Sequence, residues 1–158
     1  MKVLMRTQNL ERSYKKPLSK MTREINSKSY LKNLSQSFKE EEKSLLLKGI
    51  NSWSSLKDLK DEDINEIVKN SLSTSRNLRR LRCLAILIND LELRSEEAAL
   101  LMHSGIATVK ALAALTPQEL LTSTGRLERL LNTGREPVVD LKKAHSWIQK
   151  AKTRQIKN

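Results

Sequence analysis

Cysteine, histidine and aromatic residues are scarce in this chain, and each scarcity removes a class of function. A single cysteine, Cys83, excludes an internal disulfide, and with only His103 and His145 beside it the sequence offers no metal-ligand cluster. That usage fits a reducing compartment, so a cytoplasmic protein is expected. Aromatic residues are 3% of the chain, too few for a platform on which successive bases stack. No apolar run approaches the roughly 20 residues of a membrane span, and the opening MKVLMRTQNLERSYKK lacks the continuous apolar stretch of a secretory signal. Its Lys/Arg-rich, acid-poor composition resembles an organelle-targeting peptide, but an untargeted basic arm is the simpler expectation. Acids are the minority charge, 18 against 30 Lys and Arg, for a net +12 and a pI near 10. Such a balance favours a polyanionic partner: DNA or RNA, an anionic surface or an acidic protein.

What is present is helical and duplicated. The 158 residues, 38% of them hydrophobic, suit one domain with a modest core rather than a two-domain enzyme. Residues 41–64 recur in recast form at 97–120. Setting Gly49 on Gly105 places Leu45 on Leu101, Ile50 on Ile106, Trp53 on Val109, Leu56 on Leu112, Leu59 on Leu115 and Ile64 on Leu120. Each copy is apolar on one face, so the two are expected to bury those faces together.

Charge divides the chain further. Residues 1–39 carry +8 and residues 40–158 carry +4. We read 1–28 as a basic, largely flexible arm, 29–152 as the folded domain and 153–158 as a basic tail. Gly49 and Gly105 read as helix stops, and Ser95 reads as a cap. Thr116, Pro117 and Glu119 read as a cap, a first-turn proline and a capping-box acid. In residues 73–89, Leu78, Leu81, Leu84, Ala85 and Ile88 gather opposite Arg76, Arg79 and Arg80. The second half of that segment looks buried all round, which marks it as a central helix. Thr122–Glu136, containing Gly125 and Gly134, reads as a short helix around Leu127, Leu130 and Leu131 held between turns. Pro137 is expected to start a last helix whose period joins Val138, Leu141, His145 and Ile148.

The segments LLLKGINSWSSLKDL, SRNLRRLRCLAILIND, AALLMHSGIATVKALAALTPQEL and HSWIQKAK, in this order, resemble a bacterial tandem helix-hairpin-helix family known as a domain of unknown function. The resemblance covers about residues 36–152. It implies an all-α fold in which two pseudo-repeated helix-hairpin-helix-like units pack around a central helix. It also implies sequence-independent binding of nucleic-acid backbones, because a Gly-apolar-Gly hairpin offers backbone N–H groups and a helix start to phosphate. The pattern departs at that point. The hairpin glycines fall on Glu92 and Arg94 around Leu93, and on Gln36 and Phe38 around Ser37, so neither hairpin keeps one. Glu40–Glu42 and Glu92, Glu96 and Glu97 would repel a phosphate there.

Nucleic-acid binding therefore rests on side-chain charge. The candidate residues are Arg76, Arg79, Arg80 and Arg82, four arginines with no acid between them, and a second group of Lys142, Lys143, Lys150, Lys152 and Arg154. Trp53 and Trp147 lie in apolar periods and read as core. Cys83 reads as a buried thiol. Asp58, Asp61, Glu62, Asp63 and Glu66 lack the spacing of a calcium loop and suit a helix start. No nucleophile pairs with either histidine and no cofactor motif is present, so a non-enzymatic binding module is expected. The competing expectation is an adaptor whose degenerate hairpins dock on an acidic protein.

Overall fold

Eight α-helices and one 3-10 turn make up the described part of the chain, and it contains no strand. The computed structural model describes residue 34, residues 36–131 and residues 134–157. The basic arm expected at 1–28 lies outside the described residues. After the turn Gln36–Phe38 come α1 (Lys39–Leu47), α2 (Trp53–Lys57), α3 (Asp61–Lys69), α4 (Ser75–Leu91), α5 (Ser95–His103), α6 (Val109–Ala113), α7 (Pro117–Leu131) and α8 (Leu141–Lys157).

Local chemistry sets the boundaries. α1 ends where Gly49 takes φ 79°, and α5 ends where Gly105 takes φ 89°, a left-handed conformation that glycine enters without steric cost. At each stop two backbone N–H groups turn back onto otherwise orphaned carbonyls. Ile50 donates to Leu45 O at 2.9 Å and Ile106 to Leu101 O at 2.9 Å. Ser52 and Thr108 cap α2 and α6, each accepting from the backbone N–H three residues on. α1 and α5, α2 and α6, and α3 and α7 each start 56 residues apart, at 39 and 95, 53 and 109, 61 and 117.

The core gathers on α4. Thr74 caps it by accepting from Asn77 N, and Leu78, Leu81, Leu84, Ala85, Leu87, Ile88 and Leu91 are buried. That stripe is wider than one helical face, so α4 packs against α2, α3, α5, α6 and α8. Leu45, Leu56 and Ile64 on one side, and Leu101, Leu112 and Leu120 on the other, are fully buried around it. Trp53 and Trp147 are buried too, as the apolar periods required.

Several sequence expectations are corrected. The second half of α4 is not enclosed all round: Ile86, Asn89 and Asp90 are half-buried, because Asn89 and Asp90 there serve polar partners rather than the core. Asn89 donates to Trp53 O at 3.1 Å. α7 runs unbroken through Gly125, since one helical glycine costs only about 1 kcal/mol against alanine. Leu130 and Leu131 at its end are exposed rather than core. α8 starts at Leu141 and not at Pro137, because Asp140 supplies the cap and accepts from Lys143 N at 2.7 Å. Its buried face is Ala144, Trp147, Ile148 and Ala151. Val138, Leu141 and His145 are consequently exposed. The helix continues to Lys157, so residues 153–157 form its last turns rather than a separate tail.

At α7 the sequence signal holds. Glu119 accepts from Thr116 N at 2.8 Å and from the Thr116 hydroxyl at 3.1 Å, while Glu119 N donates back to that hydroxyl. The backbone N–H, and secondarily the hydroxyl, hold the Glu119 carboxyl below its usual range. A depressed carboxylate stabilises the fold above its unfolded pKa and loses that contribution as pH falls through its folded value. Glu119→Gln is expected to flatten the acid limb of a pH–stability profile below about pH 5 while leaving the neutral limb almost parallel to wild type, as followed by urea denaturation.

Candidate functional site

The arginines of α4 separate into two roles. Arg76, Arg79 and Arg80 line one open groove of about 600 Å³ with Ser75 and Cys83, and the groove is completed by Met102 of α5 and by Ala107 before α6. No acid lines it, and none of the three arginines forms an ion pair among the described residues. Arg80 is set in place by Phe38, whose buried ring lies 5.8 Å from the guanidinium carbon. Arg76 and Arg79 stand exposed on the same helix face. Cys83, expected to be buried, is half-exposed, because the groove opens over it.

Arg82 leaves that group. It donates to Leu59 O at 3.0 Å and pairs with Asp61 at 2.9 Å, tying α4 to the turn between α2 and α3. Two further acids of that sequence cluster are likewise engaged. Asp63 accepts from Lys60 N, and Glu66 pairs with Lys48. No group of three or more His, Cys, Asp or Glu side chains suited to a metal stands together among the described residues.

The C-terminal cations meet acids. Lys143 reaches Glu97 at 3.4 Å, Lys150 reaches Glu92 at 3.9 Å, and Arg154 reaches Asp90 at 3.2 Å. Asp90, only 11% exposed, also holds Lys57. Lys142 and Lys152 stand exposed. Arg80 and Asp90 are ten residues apart on α4, about 15 Å along its axis, which exceeds a Debye length of about 8 Å at physiological salt. The arginine groove and the C-terminal cations are thus two separate features.

The connection between α4 and α5 explains why backbone N–H groups are closed to a ligand there. Glu92 takes φ 55° and ψ 40°, the only left-handed non-glycine among the described residues. Leu93 is buried next to it, and Arg94 N donates to Glu97 Oε2 at 3.0 Å. Ser95 is the first residue of α5 rather than its cap; the reach of the Glu97 carboxylate displaces it from that role. Glu41, the counterpart of Glu97, is buried as well and accepts from Thr74 N at 2.9 Å and from Asn77 Nδ2 at 3.3 Å.

Glu92→Gly is expected to raise stability by about 0.5–1 kcal/mol. Removing Cβ relieves the cost of about 1–2 kcal/mol of a left-handed residue, which the greater unfolded-state freedom of glycine partly offsets. An exposed pair such as Glu92–Lys150 contributes little. The midpoint of urea denaturation reads the change.

Residues 35–154 match a family described as a domain of unknown function, DUF4332. The chain belongs to the DUF4332 family. The match takes in all eight helices except the last turn of α8, and so the whole of the arginine groove. No curated protein and no solved structure matches this DUF4332 chain. No helix among the described residues is long and apolar enough to cross a membrane.

The sequence missed Phe38, read only as a degenerate hairpin position, and Met102 and Ala107. Neither of the last two carries charge or a motif, and only the approach of α5 to α4 brings them to the arginines.

Proposed function

We propose that this DUF4332 chain is a non-enzymatic nucleic-acid-binding module made of two helix-hairpin-helix-like units on a shared central helix. It holds the phosphate backbone without reading sequence. The tandem reading is supported by the 56-residue spacing of helix starts, glycine stops and hydroxyl caps, and by the buried pairs Leu45–Leu101, Leu56–Leu112 and Ile64–Leu120. It is supported too by the left-handed Glu92 followed by buried Leu93, at the place where such a hairpin carries its first glycine and its apolar residue.

The observation that carries the function is the groove of Arg76, Arg79 and Arg80, lined by no acid. Guanidinium groups match phosphate oxygens with parallel N–H donors and stay charged at every physiological pH. In the second hairpin Leu93 N donates to Ile88 O and Arg94 N to the Glu97 carboxylate, so side chains take over the contact. An anisotropy titration with labelled DNA and RNA at low salt tests this: binding that weakens linearly in log salt is expected, and no binding to either polymer refutes it.

A second reading, an adaptor that docks on an acidic protein, is favoured by one observation. Asp90, Glu92 and Glu97 stand against the C-terminal cations, which limits the length of backbone those cations can follow. A partner that stays bound after nuclease treatment of a lysate supports this reading over the first.

A further inference from the structure

We infer that the groove between α4 and α5 takes one unstacked nucleotide of a single strand, its phosphate on the arginines and its base on the apolar floor. This inference rests on the nucleic-acid reading above and narrows it to a class of ligand. The groove has two chemically distinct sides. Arg76 and the adjacent Arg79 and Arg80 lie one turn apart on α4, with Arg76 and Arg80 about 6 Å apart along the axis, and Arg80 is pre-set against Phe38. Cys83 follows Arg79 by one turn on the same helix face, Met102 and Ala107 enter from α5 and the loop before α6, and all three are half-buried.

A duplex presents a ridge of phosphates with its bases stacked inside. It can reach the arginines but puts nothing on the floor. A single strand can turn a base out, and unstacked bases are what single-strand readers accept on apolar or planar groups. Met102 suits that contact, because a thioether is polarizable and adapts its rotamers to the face of a ring. The few aromatic residues of the chain preclude a platform for several bases, and the groove has room for one. A second surface groove, lined by Asp90, Glu92, His145, Lys150 and Arg154 among others, has acids where a phosphate would sit.

The test uses the full chain and five labelled or competing probes: a short mixed-sequence single-stranded DNA, the same strand paired to its complement, the same strand with abasic sites, the same single strand made as RNA, and polyglutamate of matched charge. The intact single strand is expected to bind about fivefold tighter than the duplex or the abasic strand, while intact and abasic strands share one salt slope because their phosphates are the same. Met102→Gln is expected to erase the fivefold preference and keep the slope. Ala107→Gln, which fills the floor from the loop side, is expected to do likewise, and a thermal melt shows that each variant is folded. Equal affinity for intact, abasic and duplex DNA overturns the inference and leaves backbone binding standing. Absence of binding to all three DNAs and to the same single strand made as RNA overturns both, and polyglutamate displacing the single strand at equal charge concentration assigns the groove to an acidic protein instead.

Discussion

Leu81→Ala is expected to cost about 2–5 kcal/mol of stability, the range for a buried leucine truncated where its surroundings relax only partly. Leu81 is fully buried on α4, and α4 is the helix against which α2, α3, α5, α6 and α8 all pack. A cavity there loosens both flanks together. No neighbour collapses into it cheaply, since Leu78, Leu84 and Ala85 are themselves held on several sides. A domain of this size has about 5–15 kcal/mol in total, so the loss is a large fraction of what keeps it folded. Leu130→Ala is the control: the side chain is 77% exposed at the end of α7, and a change within about 0.5 kcal/mol is expected. Urea denaturation followed by helical circular dichroism separates the two, and a Leu81→Ala protein as stable as wild type would remove α4 from the centre of the fold.

Replacing Arg76, Arg79 and Arg80 together by alanine is expected to weaken nucleic-acid binding on the order of a hundredfold at about 0.1 M salt, and to lower the slope of log affinity against log salt by about three units. The estimate follows from counterion release, with one phosphate neutralised per arginine. Stability is expected to change little, because Arg76 and Arg79 are exposed and Arg80 contributes one contact to Phe38. Arg82→Ala is expected to behave in the opposite way. It strips Asp61 of its partner and Leu59 O of a donor, so it lowers stability by about 1 kcal/mol while the salt slope stays near its wild-type value. A triple variant that binds with the original slope would show that the groove does not touch the backbone.

Much of the local structure was legible in the residues. Gly49 and Gly105 stop their helices, Thr116 and Glu119 close a capping box, and Trp53 and Trp147 are buried. These features depend on groups within four or five positions of one another, or on a period that a single face displays. The misreadings share a cause. Gly125, Pro137 and Ser95 carry real punctuation chemistry, yet one glycine costs too little to break α7, Asp140 out-competes Pro137 as a helix start, and Glu97 accepts from Arg94 N in place of a Ser95 cap. His145 fell on the wrong face because Val138, counted into the period, lies before the helix, whose packed stripe is Ala144, Trp147, Ile148 and Ala151.

The residue pattern by itself determined an all-helical fold, the glycine stops at Gly49 and Gly105, the Thr116–Glu119 capping box and the apolar face that α4 turns inward, because backbone conformation and side-chain period are local properties. Tertiary structure decided which cations are free. Arg76, Arg79, Arg80 and Arg82 are near neighbours in sequence, but Arg82 meets Asp61 across a turn while the other three open onto Met102 and Ala107. Lys143, Lys150 and Arg154 likewise meet Glu97, Glu92 and Asp90. A charge is neutralised by whatever stands within a few ångströms of it, and that neighbour comes from 21 to 64 residues away, a distance over which no sequence period extends.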